Sequence, residues 1–379
     1  MGTMLKKSAK YTAKGVSSGL KYRFRKNQNI HQSPTFMIYQ MTNNCNSRCM
    51  MCNIWKKESK GEMSAKELKE NINKKMFQKL RWINLTGGEP FVRDDILEIV
   101  RVLNTLPMLE GIAIPTNGYL TDRIVKNIKE ILSFLPKNRF LSVTLSIDGF
   151  EKTHDKIRGV SGAYKKVTKT LKELKKIKTK YPNFNVGVQP TISKLNLDEA
   201  LDFYKYMKKQ AGSVGFAVMM TSEGYYSNEE SSIALSKKDK VKVAKILRIA
   251  AKNDPQYAFY YSKLIRLFKT GEREFGCLAG YLTFFMDPYG NISPCPVLSC
   301  NNKYKFGNVT EGDVWFTKNA SRIKKDLKNE EICDSCSMMC DFISFAKVEF
   351  IEHSAWMLQH PKTLARLLKK IKSEKNPYF

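Results

Sequence analysis

From Phe36 onward the chain repeats one pattern: a short apolar run with strand character, then a longer stretch with helical spacing. The apolar runs are Phe36–Met41, Trp82–Leu85, Gly111–Pro115, Phe140–Ile147, Asn185–Thr191 and Val214–Met220. Helical spacing covers Ala65–Phe77, Asp95–Leu106, Asp122–Leu135, Tyr164–Tyr181 and Asp198–Gln210. Strands alternating with helices build βαβ units and a parallel sheet. The pattern predicts an α/β fold, a partial (β/α)6 TIM-like barrel over residues 34–235. Six units fall short of the eight that close a barrel, so one side stays open, and the working groups belong in loops at the C-terminal ends of the strands. Ser236–Ala251 and Gln256–Lys269 predict two helices in a linker over 236–274. The texture then changes. Phe275–Asn308 is rich in Gly, Pro and Cys, and Cys333–Cys340 is a tight group, which predicts a small metal-held domain over 275–345. Helical spacing returns over Val348–Lys372, within a basic C-terminal segment, 346–379.

Composition narrows the class. At 42% hydrophobic over 379 residues, a core of ordinary size can be buried. No apolar run reaches the roughly 18 residues of a membrane span. The basic N-terminus has no apolar stretch of the secretory kind, so a cytoplasmic protein is expected. The net charge of +29 is spread in pairs such as Lys165–Lys166 and Lys175–Lys176, as on solvated helix faces. Residues 1–33 differ: eight Lys or Arg, no acid, and interleaved Leu5, Tyr11, Val16, Leu20, Tyr22 and Phe24. This extension, like Lys362, Arg366, Lys369 and Lys370 set among Leu364, Leu367, Leu368 and Ile371, suits peripheral contact with an anionic membrane; the extension reads equally as a tail or as a strap along the main domain, and Gly15 and Gly19 count against a helix there. Charge alone gives no specific nucleic-acid site.

The nine cysteines sort into three near residue 50 and six between 277 and 340. Clustered cysteines without an export signal read as metal ligands. Cys45, Cys49 and Cys52 lie in the loop after the first predicted strand. Three thiolates at these spacings hold three corners of an iron–sulfur cube and leave one iron open, where a closed structural site would use four. A structural zinc site would need a fourth Cys or His, and the nearest, His31, is upstream.

The string Thr42-Asn-Asn-Cys45-Asn-Ser-Arg-Cys49-Met-Met-Cys52 resembles the CxxxCxΦC signature of the radical S-adenosylmethionine (SAM) superfamily, with Met51 where Φ is usually aromatic. Thr86-Gly87-Gly88-Glu89-Pro90, ending the second strand, resembles that family's GGE motif. The resemblance implies a [4Fe–4S] cluster on Cys45, Cys49 and Cys52, with Gly87, Gly88, Glu89 and Pro90 around the SAM amino group and Met51 near its adenine. Asn117 follows the third strand. Ser146 and Asp148 follow the fourth, with Arg158 in the HDxxR stretch after them, and Gln189 and Thr191 end the fifth. In related members the Ser and the Arg meet the SAM carboxylate or ribose, and the fifth strand end meets adenosine. Asp148 reads equally as a turn or cap residue, and His154 as a structural hydrogen-bonding group rather than a base.

Cys277, Gly290, Cys295 and Cys333-x-x-Cys336 resemble a SPASM/twitch-type auxiliary-cluster domain. The pattern for two auxiliary clusters needs a cysteine after Cys340, and none follows. The resemblance therefore implies one second [4Fe–4S] cluster on Cys277, Cys295, Cys333 and Cys336, with Cys300 and Cys340 spare or one of them in place of a chosen ligand; a zinc ribbon is the alternative for this region. It also implies an enzyme that reductively cleaves SAM to a 5′-deoxyadenosyl radical and abstracts hydrogen from a substrate C–H bond, with the protein binding, orienting and excluding water. Expected partners are a reductant such as flavodoxin or ferredoxin and a peptide, small-molecule or lipid-linked substrate. The 33 residues before the barrel are too few for the peptide-binding module of many peptide maturases. Two other readings use the same cysteines or charge: a non-catalytic iron–sulfur electron carrier, which would not need the strand-end motifs, and an RNA-modifying member.

Overall fold

The computed structural model describes residues 32–273, 276–327, 333, 336–338 and 350–374. Most of the basic N-terminal extension and Cys340 lie outside the described residues. The chain divides into two compact units. One joins Ser33–Asp239 with Ala279–Asn329; the other joins Lys240–Leu278 with the described residues after 330.

In the first unit, β1 (Phe36–Gln40), β2 (Trp82–Thr86), β3 (Gly111–Thr116), β4 (Phe140–Leu145) and β5 (Phe184–Val188) pair in parallel in chain order. All five residues of β1 are buried, as expected for a parallel strand covered on both faces. Helices return the chain between strands: α1 (Ala65–Asn71), α2 (Ile96–Leu103), α3 (Thr121–Phe134), α4 (Glu151–Arg158), α5 (Ala163–Lys178) and α6 (Ala200–Ala211). α1 starts on a capping box, Ser64 with Glu67. α2 buries Ile96, Ile99, Val100 and Leu103, one face of a helix.

The expected α/β sheet is present, with three differences. The sixth apolar run does lie beside the fifth, but in fragments. Val214 bridges Val188, and β7 (Ala217–Val218) pairs with β6 (Thr191–Ile192) in a separate two-stranded sheet. Pro190 stands between the fragments; its missing N–H and fixed φ interrupt the ladder. Second, the free edge of β1 is taken by β8 (Thr283–Met286), also parallel, and then by antiparallel β9 (Asn291–Ser293) and β10 (Gly307–Asn308). Sequence texture separates 275–345 from the barrel, whereas Ala279–Asn329 shares the barrel's compact unit. The reason is the apolar run of β8, whose four residues are all buried. Third, the C-terminal helical stretch is broken by Pro361 into α9 (Phe350–Gln359) and α10 (Pro361–Glu374). Both pack on α8 (Pro255–Thr270), the helix after α7 (Lys237–Asn253), and the Phe259 ring lies 4.8 Å from His353.

Candidate active site

The loop after β1 carries Cys45, Cys49 and Cys52, and four neighbouring segments hold it in place. Its start is fixed by Arg93, which donates to the carbonyls of Met41 (2.6 Å) and Met63 (2.9 Å) while paired with Asp95 at 2.8 Å. Glu62 accepts the Asn43 amide at 2.6 Å. The first clamp is the GGE turn after β2: Gly88 N donates to Thr42 O (2.7 Å) and Glu89 N to Asn44 O (2.9 Å). The glycines are required by this approach. A methyl at Gly87 would overlap Thr42 O and one at Gly88 would overlap Asn44 O, and Gly87 has φ +144°.

The second clamp is the end of α4. Arg48 N donates to Arg158 O at 3.0 Å, Met50 N to Ile157 O at 2.8 Å and Ser47 Oγ to Arg158 O at 3.0 Å. Gly159, which ends α4 in the left-handed region at φ +63°, lies so close to Arg48 O that a side chain would clash. The third clamp is the segment after β7. Asn228 Nδ2 donates to Met51 O at 2.8 Å, Ser231 Oγ to Met50 O at 3.0 Å and Asn53 N to Tyr226 O at 2.8 Å, while Lys57 Nζ holds the Gly224 carbonyl. A fourth link joins Asn117 Nδ2, after β3, to Asn46 Oδ1 at 2.6 Å.

Each sulfur faces a donor. The Cys45 and Cys52 thiols accept from the backbone amides of Ser47 and Ile54. Cys49 Sγ lies 3.1 Å from Ser47 Oγ and 3.6 Å from Arg158 Nη1. Burial pushes the Cys45 and Cys52 thiols up to about 12. Thiols this costly to ionise alone become thiolates when a metal centre takes up the charge. Three donor-facing sulfurs on one clamped loop thus fit a [4Fe–4S] cluster.

The other sequence-predicted residues gather at the same strand ends. Met51 is buried with Ile157, Met219 and Ile233, against Cys49 and Cys52. Glu89 is buried and accepts from Thr116 Oγ1 (2.7 Å), Asn117 N (2.7 Å) and Phe91 N (3.1 Å). Burial pushes its carboxyl up to about 7 against those bonds. Pro90 is buried at the start of the short 3-10 turn that follows. Ser146 and Gln189 are half-buried, their amides donating to Thr116 O and Leu145 O at 2.9 Å. Asp148 and Arg158 form a buried ion pair, Oδ2 to Nε 2.7 Å. Burial opposes the Arg158 charge, and Asp148 with Cys49 more than offsets it, so its pKa is held above the ordinary arginine value. His154 Nδ1 accepts the Asp148 amide at 3.1 Å, and burial pushes its imidazole down to about 4.

Sequence reasoning missed Ser47, Arg93, Asn228 and Lys57. Ser47 lies inside the motif string at one of its variable positions. The other three act on carbonyls through long-range geometry that leaves no local pattern.

In the second unit, Arg273 Nη1 donates to the carbonyls of Cys333 (3.4 Å) and Cys336 (3.3 Å), and Tyr260 OH to Ser337 O (3.1 Å). Burial raises the Cys336 thiol, opposed by Arg273. Cys277 is exposed in this unit. Cys295, half-buried, and Cys300, exposed, belong to the barrel unit; a methyl on Gly224 would come within 3.0 Å of Cys300 Sγ. Among the described residues no helix is long and apolar enough to cross a membrane.

Known proteins share both halves. A family model described as the radical SAM superfamily matches residues 39–223, and one described as an iron–sulfur cluster-binding domain, SPASM, matches 277–337. The chain is 26% identical over 341 residues to the AdoMet-dependent heme synthase of Methanosarcina barkeri, covering 82% of this chain and 89% of that protein. It is 28% identical over 307 residues to the sporulation killing factor maturation protein SkfB of Bacillus subtilis, covering 78% and 68%. Among solved structures it resembles anSMEcpe with bound AdoMet, at TM-score 0.59 and 17% identity over 84% of this chain and 98% of that one. It likewise resembles Streptococcus suis SuiB bound to the precursor peptide SuiA, at TM-score 0.59 and 17% identity over 84% and 73%. The clamped three-cysteine loop, the strand-end motifs and the two matched regions agree: residues 39–223 form a radical SAM domain, and residues 277–337 an iron–sulfur cluster-binding domain of the SPASM type.

Proposed function

We propose that this radical SAM enzyme generates a 5′-deoxyadenosyl radical beside the loop of Cys45, Cys49 and Cys52 and uses it to oxidise or otherwise modify a peptide. The observation that carries the reading is the loop itself: three sulfurs, each facing a donor, on a segment clamped at the C-terminal end of a parallel barrel. When bound, the cluster supplies one electron and an open iron for the SAM amine and carboxylate.

The protein's part is placement. Cys45, Cys49 and Cys52 hold the cluster. Gly87, Gly88, Glu89, Pro90, Asn117, Ser146, Asp148, Arg158, Gln189 and Met51 form the surround in which SAM is bound and kept from water. We assign Cys277, Cys295, Cys333 and Cys336 to the second cluster on their spacing. The iron–sulfur match begins at residue 277 and ends at 337, short of Cys340. Held by these four residues, a second cluster would supply a one-electron acceptor, as a net oxidation of the substrate would require.

The peptide substrate is supported by the likeness to SkfB, a maturation protein, and to SuiB, which was solved with its precursor peptide. A second reading has its own observation: of the two sequence relatives described above, the heme synthase matches over the longer stretch, and a Fe-coproporphyrin III synthase of Methanosarcina barkeri is 30% identical over 178 residues, 46% of this chain and 41% of that protein. On that reading the substrate is an iron porphyrin.

The test uses anaerobically reconstituted full-length protein with dithionite and SAM, and measures 5′-deoxyadenosine. We expect it to form, and to form faster with a small-peptide fraction of the source cells than with iron coproporphyrin. Acceleration by the porphyrin alone transfers the proposal to the second reading. Full iron loading with neither SAM binding nor cleavage leaves only an electron carrier.

A further inference from the structure

We infer that Arg158 sets the reduction potential of the cluster on Cys45, Cys49 and Cys52, acting through Cys49 as the positive end of a buried Arg158–Asp148 pair. The inference rests on the assignment of that cluster under the proposed function.

The three cysteines are not treated alike. Cys45 and Cys52 face neutral backbone amides. Cys49 Sγ faces a hydroxyl, Ser47 Oγ at 3.1 Å, and a guanidinium, Arg158 Nη1 at 3.6 Å. A donor that carries charge binds about twice as strongly as a neutral one, and hydrogen bonds to the sulfurs and local charge are among the quantities that set an iron–sulfur potential.

Arg158 is fixed in this position from every side. Its backbone carbonyl accepts from Arg48 N and Ser47 Oγ of the cysteine loop, both at 3.0 Å. Its Nε meets Asp148 Oδ2 at 2.7 Å. Asp148 is tied down in turn: Oδ1 accepts Thr191 N at 2.9 Å, its carbonyl accepts Asn196 Nδ2 at 2.6 Å, and its amide donates to His154 Nδ1 at 3.1 Å. Asp148 is 1% and Arg158 9% exposed, so water does little to screen the pair. The result is a fixed dipole with its cationic end on Cys49.

Reduction adds one electron from an external one-electron donor, with no bond made or broken and no proton required. The added negative charge is stabilised by the guanidinium and destabilised by the carboxylate behind it. Removing the two charges one at a time must therefore move the potential in opposite directions. A residue that only supports the fold has no reason to do this.

The experiment is a redox titration of the reconstituted full-length protein by dithionite with mediators, read by EPR, for the wild type, Arg158→Gln and Asp148→Asn. The cluster in question is the one whose signal changes on adding SAM to the wild type, and that same signal is then titrated without SAM in all three proteins. At the ambient potential that half-reduces the wild type, we expect the reduced-to-oxidised ratio to fall about tenfold in Arg158→Gln, which is 59 mV for a one-electron couple. In Asp148→Asn it should rise severalfold. Equal ratios in all three proteins overturn the inference, and so do shifts of the same sign. If Arg158→Gln takes up no iron, Asp148→Asn decides alone: a rise in the ratio supports the inference, and an unchanged or lowered ratio overturns it. A wild type with no SAM-sensitive cluster sinks the proposed function as well, a result distinct from a normal cluster at an unmoved potential.

Discussion

At the scale of single residues, glycine appears wherever another segment closes on the cysteine loop. Gly87 and Gly88 press on Thr42 and Asn44, and Gly159 on Arg48. The Gly-Gly-Glu string is legible in the sequence as a motif, and so is its place at a strand end. Its packing is not, because a motif names residues and not the backbone they abut. Gly88→Ala is expected to displace Asn44 and the loop beyond it, at the roughly 1–3 kcal/mol cost of overpacking. Reconstituted Gly88→Ala should lose the SAM-sensitive cluster and most 5′-deoxyadenosine formation while keeping the iron of the C-terminal domain. Iron analysis beside EPR checks this, and a fully loaded, SAM-responsive variant would contradict the packing argument.

At the scale of elements, the strands and helices of the barrel follow from apolar periodicity, since a parallel strand buried on both faces writes an unbroken apolar run. The breaks do not follow so simply: Pro190 splits the sixth pairing, and β8 is an apolar run hidden in Gly- and Cys-rich surroundings. The connection from β4 to α4 carries a pH dependence of its own. His154 is neutral in the fold, its pKa pushed down to about 4 from the usual 6.5. The stability this lends is present above about pH 6.5 and is lost as pH falls toward 4. Glu89 has the opposite sign. Its pKa is raised to about 7, so its contribution is present below about pH 4.5 and is lost as pH rises through 7. Between pH 5 and 7 the two partly cancel in the wild type and separate in variants. The melting-temperature gap between wild type and His154→Gln should narrow by a few degrees from pH 7.5 to 5.5, and the gap for Glu89→Gln should widen over the same span. Parallel curves for both variants would show that neither group titrates in this range.

At the scale of the whole molecule, cysteine spacing made two metal regions legible, and the family matches fall on both, at 39–223 and 277–337. The boundary between them was not legible from composition, because Ala279–Asn329 completes the barrel sheet while Lys240–Leu278 and the chain beyond residue 330 form the other unit. With two four-iron clusters the loaded protein holds about eight irons. Cys333→Ala is expected to hold about four and still cleave SAM, with product oxidation lost. Full loss of iron from both regions would mean that the two sites do not load independently. The β1–β8 pairing has a further consequence, for the order in which the protein is made. Synthesis proceeds from the N-terminus, so Phe36–Gln40 gains β2 early and then waits for Thr283–Met286. Until Met286 has left the ribosome, the strand that leads into the cysteine loop is an open sheet edge, exposed to pairing with other chains. The clamps on the cysteine loop all come from residues before 232, so the nascent chain sets its loop while the strand beneath it still lacks its last partner.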